Sequence, residues 1–160
     1  MGMGRLSDRQ GNGPTFMDQA LDQARAAAAV GEVPVGAVLV EAATGRILAL
    51  ARNRIEELAD PTAHAEVLAI RAAAGLLGSP RLPGCDLYVT LEPCPMCAAA
   101  IAFARLRRVY YGAGDPKGGA VDHGVRLFDQ PSCHHRPEVY GGIGETAAAD
   151  LLREFFQARR

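Results

Sequence analysis

A chain of 160 residues suits one compact domain that buries about two-thirds of the surface its unfolded form exposes, and it excludes two large domains. Its 49% hydrophobic and 22% charged residues are ordinary for a globular protein, and no apolar run is long or uninterrupted enough to cross a bilayer, so a soluble protein is expected. The formal charge of −1, from 17 basic and 18 acidic residues, excludes the global basic field that drives non-specific nucleic-acid binding; any contact with nucleic acid has to be local.

Residues 1–14 are polar and Gly-rich without the apolar stretch of a secretory signal, so they are expected to form a mobile leader on a cytoplasmic protein, ahead of one domain over 15–160. Met17, Ala20, Leu21, Ala24 and Ala28 recur at helical spacing after Thr15 and predict a first helix that stops at Gly31. Val35–Val40 and Ile47–Ala51 predict a β-hairpin turning at Thr44-Gly45. A second helix is expected from about His64, after Pro61-Thr62, to Gly75 or Gly78. Asp86–Leu91 predicts a third strand. Pro93 and Pro95 then restrict the backbone around Cys94, so a third, Ala-rich helix should begin at the cysteines and run to Ala104.

Arg108–Tyr111 predicts a fourth strand, followed by a Gly-rich loop, Gly112–His123, that carries Asp115 and Lys117. After a short helical or irregular piece around Val125–Phe128, Gly144 opens a last helix with Ala148, Leu151, Leu152, Phe155 and Phe156 on one stripe and Arg159-Arg160 at its negative end. This order predicts an α/β fold with helices on both faces of a central mixed β-sheet, a three-layer α/β/α domain.

The four cysteines, Cys85, Cys94, Cys97 and Cys133, are too few for a disulfide framework, and the Cys94–Cys97 C-x-x-C pair points to metal. Cys85 is expected to be a small buried hydrophobe. His64 and the pair Cys94 and Cys97 each stand at a predicted helix N-terminus, where the positive dipole end favours thiolate. Together they offer three corners of a zinc tetrahedron and leave the fourth to water. Glu66, two residues after His64, would reach the same pocket from a frayed first turn and carry protons between that water and a leaving group. The competing reading closes the tetrahedron as a structural site, with Cys85, Cys133, His123, His134 or His135 as fourth ligand.

At these residues the chain resembles the zinc-dependent nucleobase deaminases, whose signature is H-x-E…P-C-x-x-C. Glu32–Val40 (EVPVGAVLV), Asn53-Arg54, Asp60–Glu66 (DPTAHAE), Tyr88–Cys97 (YVTLEPCPMC) and Gly112–Gly118 (GAGDPKG) are similar to the bacterial tRNA-specific adenosine deaminases, over nearly the whole of Phe16–Arg160. The resemblance implies a cytidine-deaminase-like fold and a homodimer with one zinc ion per subunit. It also implies a tRNA anticodon stem-loop, in an arginine tRNA, whose wobble adenosine is flipped out and converted to inosine. It implies His64, Cys94 and Cys97 as metal ligands and Glu66 as proton shuttle. Asn53 and the Ala65 backbone N–H would bond the flipped nucleoside, with Asp115, Lys117 and Phe156 near the anticodon loop.

Lys117, Arg105, Arg107, Arg108, Arg159 and Arg160 are the candidates for a local basic rim on phosphates, although for each of them taken singly a solvated charge is the favoured reading. Gly119–His135 departs from the family's pattern after the lysine, and its Cys133-His134-His135 run is expected to pack, with RNA contact or a second metal as the other readings. The alternatives are a deaminase of a free base or nucleoside (guanine, cytosine or cytidine) and, more distantly, an RNA-binding module with structural zinc.

Overall fold

Thr15 caps α1, Phe16–Ala29. Its Oγ1 accepts from the Asp18 N–H at 3.0 Å while the Asp18 carboxylate accepts from the Thr15 N–H at 3.0 Å, a reciprocal capping box that satisfies two otherwise orphaned donors. The structure, a computed structural model, describes residues 15–159; the expected leader and Arg160 lie outside them. Strands β1 (Gly36–Glu41) and β2 (Arg46–Arg52) form the expected hairpin. A single helical turn, α2 (Ile55–Leu58), follows. Next come α3 (Ala65–Leu77), β3 (Cys85–Leu91), α4 (Pro95–Phe103) and β4 (Arg108–Ala113). A 3-10 turn at Leu127–Asp129, β5 (Glu138–Tyr140) and α5 (Glu145–Gln157) complete the chain. Every predicted helix and strand is present to within two residues at its ends; α2 and β5 were not foreseen.

The sheet order is β2-β1-β3-β4-β5, antiparallel across β1–β2 and β1–β3 and parallel across β3–β4 and β4–β5. Alternation along the strands divides the core in two. Val38, Val40, Tyr88 and Tyr110 face α1 and α5 in one cluster, where the Tyr88 and Tyr110 rings stack at 4.4 Å between centroids. Leu39, Leu87, Val89 and Val109 face the other way, against Ala65, Ala69 and Ala73 of α3 and Ala98, Ile101 and Ala102 of α4. Helices therefore cover both faces, and the three-layer arrangement stands. Cys85 is buried in the second cluster as expected, and Cys133 packs against it. Among the described residues no helix is long and apolar enough to cross a membrane.

Gly36 marks the closest approach of α1 to the sheet. A Cβ there would lie 2.0 Å from the Ala20 carbonyl oxygen and 2.6 Å from the Ala24 nitrogen, and backbone atoms inside a helix have no rotamer by which to yield. Gly36→Ala is therefore expected to destabilise the fold by about 3 kcal/mol, the upper part of the range for overpacking. Urea denaturation of the variant measures this directly, and an unchanged midpoint would show that α1 does not sit against β1.

Candidate active site

His64 is the N-cap of α3 and has extended backbone, φ −71° and ψ 149°. Glu66, in the first turn of the helix, is aimed by helical geometry while His64 is not. The two side chains line one pocket for that reason, and the frayed turn expected from a uniform helix is unnecessary. Cys94 holds the equivalent position on α4, with φ −74° and ψ 173° and Pro95 in the first helical position. Proline there gives up an N–H that would be unpaired anyway. α3 and α4 pack on the same face of the sheet and bring their N-termini together.

His64 Nδ1 lies 3.7 Å from Cys94 Sγ and 3.5 Å from Cys97 Sγ, and the three ligand atoms all fall within 4.8 Å of one another. Tetrahedral zinc with usual bond lengths places nitrogen and sulfur about 3.6 Å apart, so these residues fit a zinc ion without rearrangement. Among the described residues no other group of three His, Cys, Asp or Glu side chains meets this spacing. Cys85, Cys133, His123, His134 and His135 stay out of the cluster, which leaves three protein ligands and an open corner. Within the Cys133-His134-His135 run, Cys133 and His135 make packing contacts, the Cys133 thiol bonding the His135 carbonyl at 3.1 Å and His135 Nε2 the Leu106 carbonyl at 2.6 Å, whereas His134 is exposed.

Electrostatics of the metal-free triad follow from these contacts. The Cys97 thiol donates to Cys94, which with the His64 contact drops Cys94 to about 4. Cys97 is pushed up by the same bond and by burial. The Cys94 contact raises His64. Glu66 is only 4% exposed, and burial pushes its carboxyl up to about 7. Such a group takes and returns protons with little bias near neutrality.

The triad and Glu66 sit in a cavity of about 240 Å³ that Asn53, Leu91, Glu92 and Asp115 also line. Asn53 Oδ1 accepts from the Ala65 N–H at 2.8 Å. The two groups expected to hold a nucleoside separately are thus bonded to each other, because Ala65 is the first residue of α3 and its N–H has no partner within the helix. The bond fixes the orientation of the Asn53 amide. Asp115 Oδ1 caps its own loop, accepting from the Lys117 and Gly118 N–H groups at 3.2 and 3.0 Å. A neighbouring groove joins Asp115 and Lys117 to Leu152 and to Phe156, which is 49% exposed and not part of the core stripe.

The basic rim thins on inspection. Arg107 pairs with Asp86 at 2.6 Å and Arg108 with Glu138 at 2.8 Å. Arg105 bonds the Ala102 carbonyl, and Arg159 bonds the Phe155 carbonyl and lies over its ring. Lys117 and Arg159 are exposed and, among the described residues, neither is in an ion pair.

Glu92 was not singled out from the sequence. Its side chain is fully buried, and its two oxygens bind the loop that follows β4, at distances given below. Burial opposes its ionisation but is outweighed by the Asp115 N–H and His123, so its carboxyl lies below the usual carboxylate range. A glutamate flanked by Leu91 and Pro93 gave one local signal, a charge at the end of a buried strand, but its partners lie 23 to 31 residues away.

Three ligand side chains gathered from two helix N-termini beside a buried carboxyl fit a zinc centre of the hydrolytic type. The chain belongs to the cytidine and deoxycytidylate deaminase family: residues 12–113 match the family model for the zinc-binding region. Within it, the chain falls among the tRNA-specific adenosine deaminases. It is 61% identical to the tRNA-specific adenosine deaminase of Agrobacterium fabrum, over 91% of this chain and 94% of that one. It is 48% identical to the enzyme of that name from Rickettsia typhi, over 90% and 97%. A solved structure from work on A-to-I editing by tRNA:A34 deaminases at the wobble position superposes with a TM-score of 0.83 at 61% identity, covering 86% of this chain and 98% of that one. A guanine deaminase from Bacillus subtilis superposes with a TM-score of 0.60 at 34% identity, covering 91% of each chain.

Proposed function

We propose that this chain is a cytoplasmic homodimer that deaminates adenosine to inosine at wobble position 34 of a tRNA anticodon, in an arginine tRNA, with residues 15–160 forming one catalytic domain. The observation that carries the reading is Glu66, buried beside a three-ligand metal site in a cavity that continues into the Asp115–Lys117–Phe156 groove. The names of the relatives support the choice of substrate. C6 of adenine is out of reach in a stacked duplex, and an anticodon loop lowers the cost of flipping the base.

His64, Cys94 and Cys97 would hold a zinc ion, which when bound would supply Lewis acidity to lower the pKa of water toward neutrality. Glu66 accepts a proton from the water whose oxygen bonds to C6 and delivers it to N1, then takes the proton of the new C6 hydroxyl and delivers it to the amine, so the C6–N bond breaks, ammonia leaves and inosine remains. Asn53 presents Nδ2 to the nucleoside while its Oδ1 stays on Ala65 N–H. Asp115, Lys117 and Phe156 meet the flanking loop nucleotides. Asn53→Ala is expected to raise KM by about tenfold and to cost about 2 kcal/mol of stability, since it leaves the buried Ala65 N–H unpaired. Steady-state kinetics and urea titration of the same preparation measure both, and an unchanged KM would remove Asn53 from the substrate contacts.

The homodimer draws support from α4. Its inner residues Cys97, Ala98, Ile101 and Ala102 are buried, yet Phe103 on the outside is 77% exposed. A helix apolar all round needs cover on both faces, and a second copy of the chain supplies it.

Purified protein incubated with an arginine anticodon stem-loop carrying adenosine at position 34 should form inosine, read by mass spectrometry of the digested RNA. Free guanine, cytosine and cytidine run in parallel test the second reading, which the likeness to the guanine deaminase favours. Turnover of a free base without inosine in the stem-loop would reverse the order of the two.

A further inference from the structure

Glu92 connects the two halves of the site. It stands between the end of β3 and Cys94, and its side chain is 0% exposed, a position where a carboxylate is stable only if fully hydrogen-bonded. Oε1 accepts from the Asp115 N–H at 2.9 Å and bonds His123 Nδ1 at 2.6 Å. Oε2 accepts from the Val121, Asp122 and His123 N–H groups at 3.1, 2.9 and 3.1 Å. The adjoining Pro93 carbonyl accepts from the Ala120 N–H at 2.9 Å. The loop crosses so close that a Cβ on Gly119 would lie 2.5 Å from Glu92 Cδ and 2.6 Å from the Asp115 carbonyl oxygen. The same loop carries Asp115 and Gly118 into the pocket wall. None of these bonds involves His64, Cys94, Cys97 or Glu66.

We propose that Glu92 is a positioning residue for the RNA substrate, which with His123 forms a clasp that fixes the 114–123 loop as the outer wall of the pocket. The clasp acts through Asp115 and Lys117, so it rests on the reading that these residues meet the anticodon loop. Pinned at Asp115 and again at 121–123, the loop binds substrate without first being ordered, and the cost of ordering falls on folding instead of on binding. His123 contributes the clasp's only side-chain donor from the loop, whereas Glu92 organises four backbone amides. Loosening His123 therefore disturbs substrate binding and spares the chemical step.

His123→Ala is expected to raise KM for the stem-loop by about tenfold, about 1.4 kcal/mol, with kcat within about twofold. Zinc should stay at one per chain, and the Asp115 and Val121 amides should exchange with deuterium about tenfold faster. His123→Asn places an amide nitrogen near the Nδ1 position and should return KM to within about threefold of the parent. Glu92→Gln, which sets an NH2 group against the Asp115 N–H or the three N–H groups on the other side, should move KM and exchange further in the same direction. An unchanged KM, a fall in kcat at constant KM, or loss of zinc in His123→Ala would each overturn the proposal. Failure of the parent protein to form inosine would count against the tRNA reading alone, because the exchange rates test the clasp without substrate.

Discussion

Glu66→Gln is expected to keep one zinc ion per chain and lose at least about a thousandfold in deamination, within the range a positioned general acid–base contributes. The substitution preserves shape but removes proton uptake. The three ligand atoms that cluster come from His64, Cys94 and Cys97, so the glutamate can change without unloading the metal. Metal analysis and inosine formation on one preparation read the two effects separately. Retention of a tenth of the activity would assign the proton transfers to another group; loss of zinc would place Glu66 in the ligand set.

The second large effect is expected from Cys97→Ser. Cys97 is 0% exposed and lies in the first turn of α4, so no solvent-side movement can substitute another ligand. A hydroxyl is a poor replacement for thiolate on zinc, and binding of structural zinc by comparable ligands is worth about 10–16 kcal/mol. The variant should therefore lose its metal to a chelator that leaves the parent loaded, and lose turnover with it. Parent protein stripped by a stronger chelator should lose activity too, but regain it when zinc is returned, which the variant should not. Persistent deamination by fully stripped parent protein would sink the metal-assisted mechanism. Because the ligands join the N-termini of α3 and α4, the stripped protein should also unfold at lower temperature.

The parts of this molecule legible in the sequence were those with local causes. Helical and alternating periodicities located α1, β1, β2, α3, β3, α4, β4 and α5, and the spacing of His64, Cys94 and Cys97 found the metal ligands. β5 escaped because three residues beside Pro137 and Arg136 show too little alternation, and it exists by pairing with β4. α2 escaped because four residues are below the length at which periodicity speaks; the buried Glu32 carboxylate holds it by accepting from the Glu56 and Glu57 N–H groups. The bond from Ala65 N–H to Asn53 and the environment of Glu92 depend on chain segments that meet only in the fold. The ion pairs of Arg107 with Asp86 and of Arg108 with Glu138 were hidden for the same reason, since each joins the start of β4 to a neighbouring strand.

Four of the five bonds to Glu92 come from backbone N–H groups, and every residue except proline carries one. A loop held in this way can drift in side-chain identity without losing its path over the pocket. The same bonds also mark where drift must stop. A proline at 115, 121, 122 or 123 would delete a donor, and a side chain at Gly119 would collide with the anchor. Side chains on the loop's outer surface are free to change, whereas the line where its backbone meets one buried carboxylate is not.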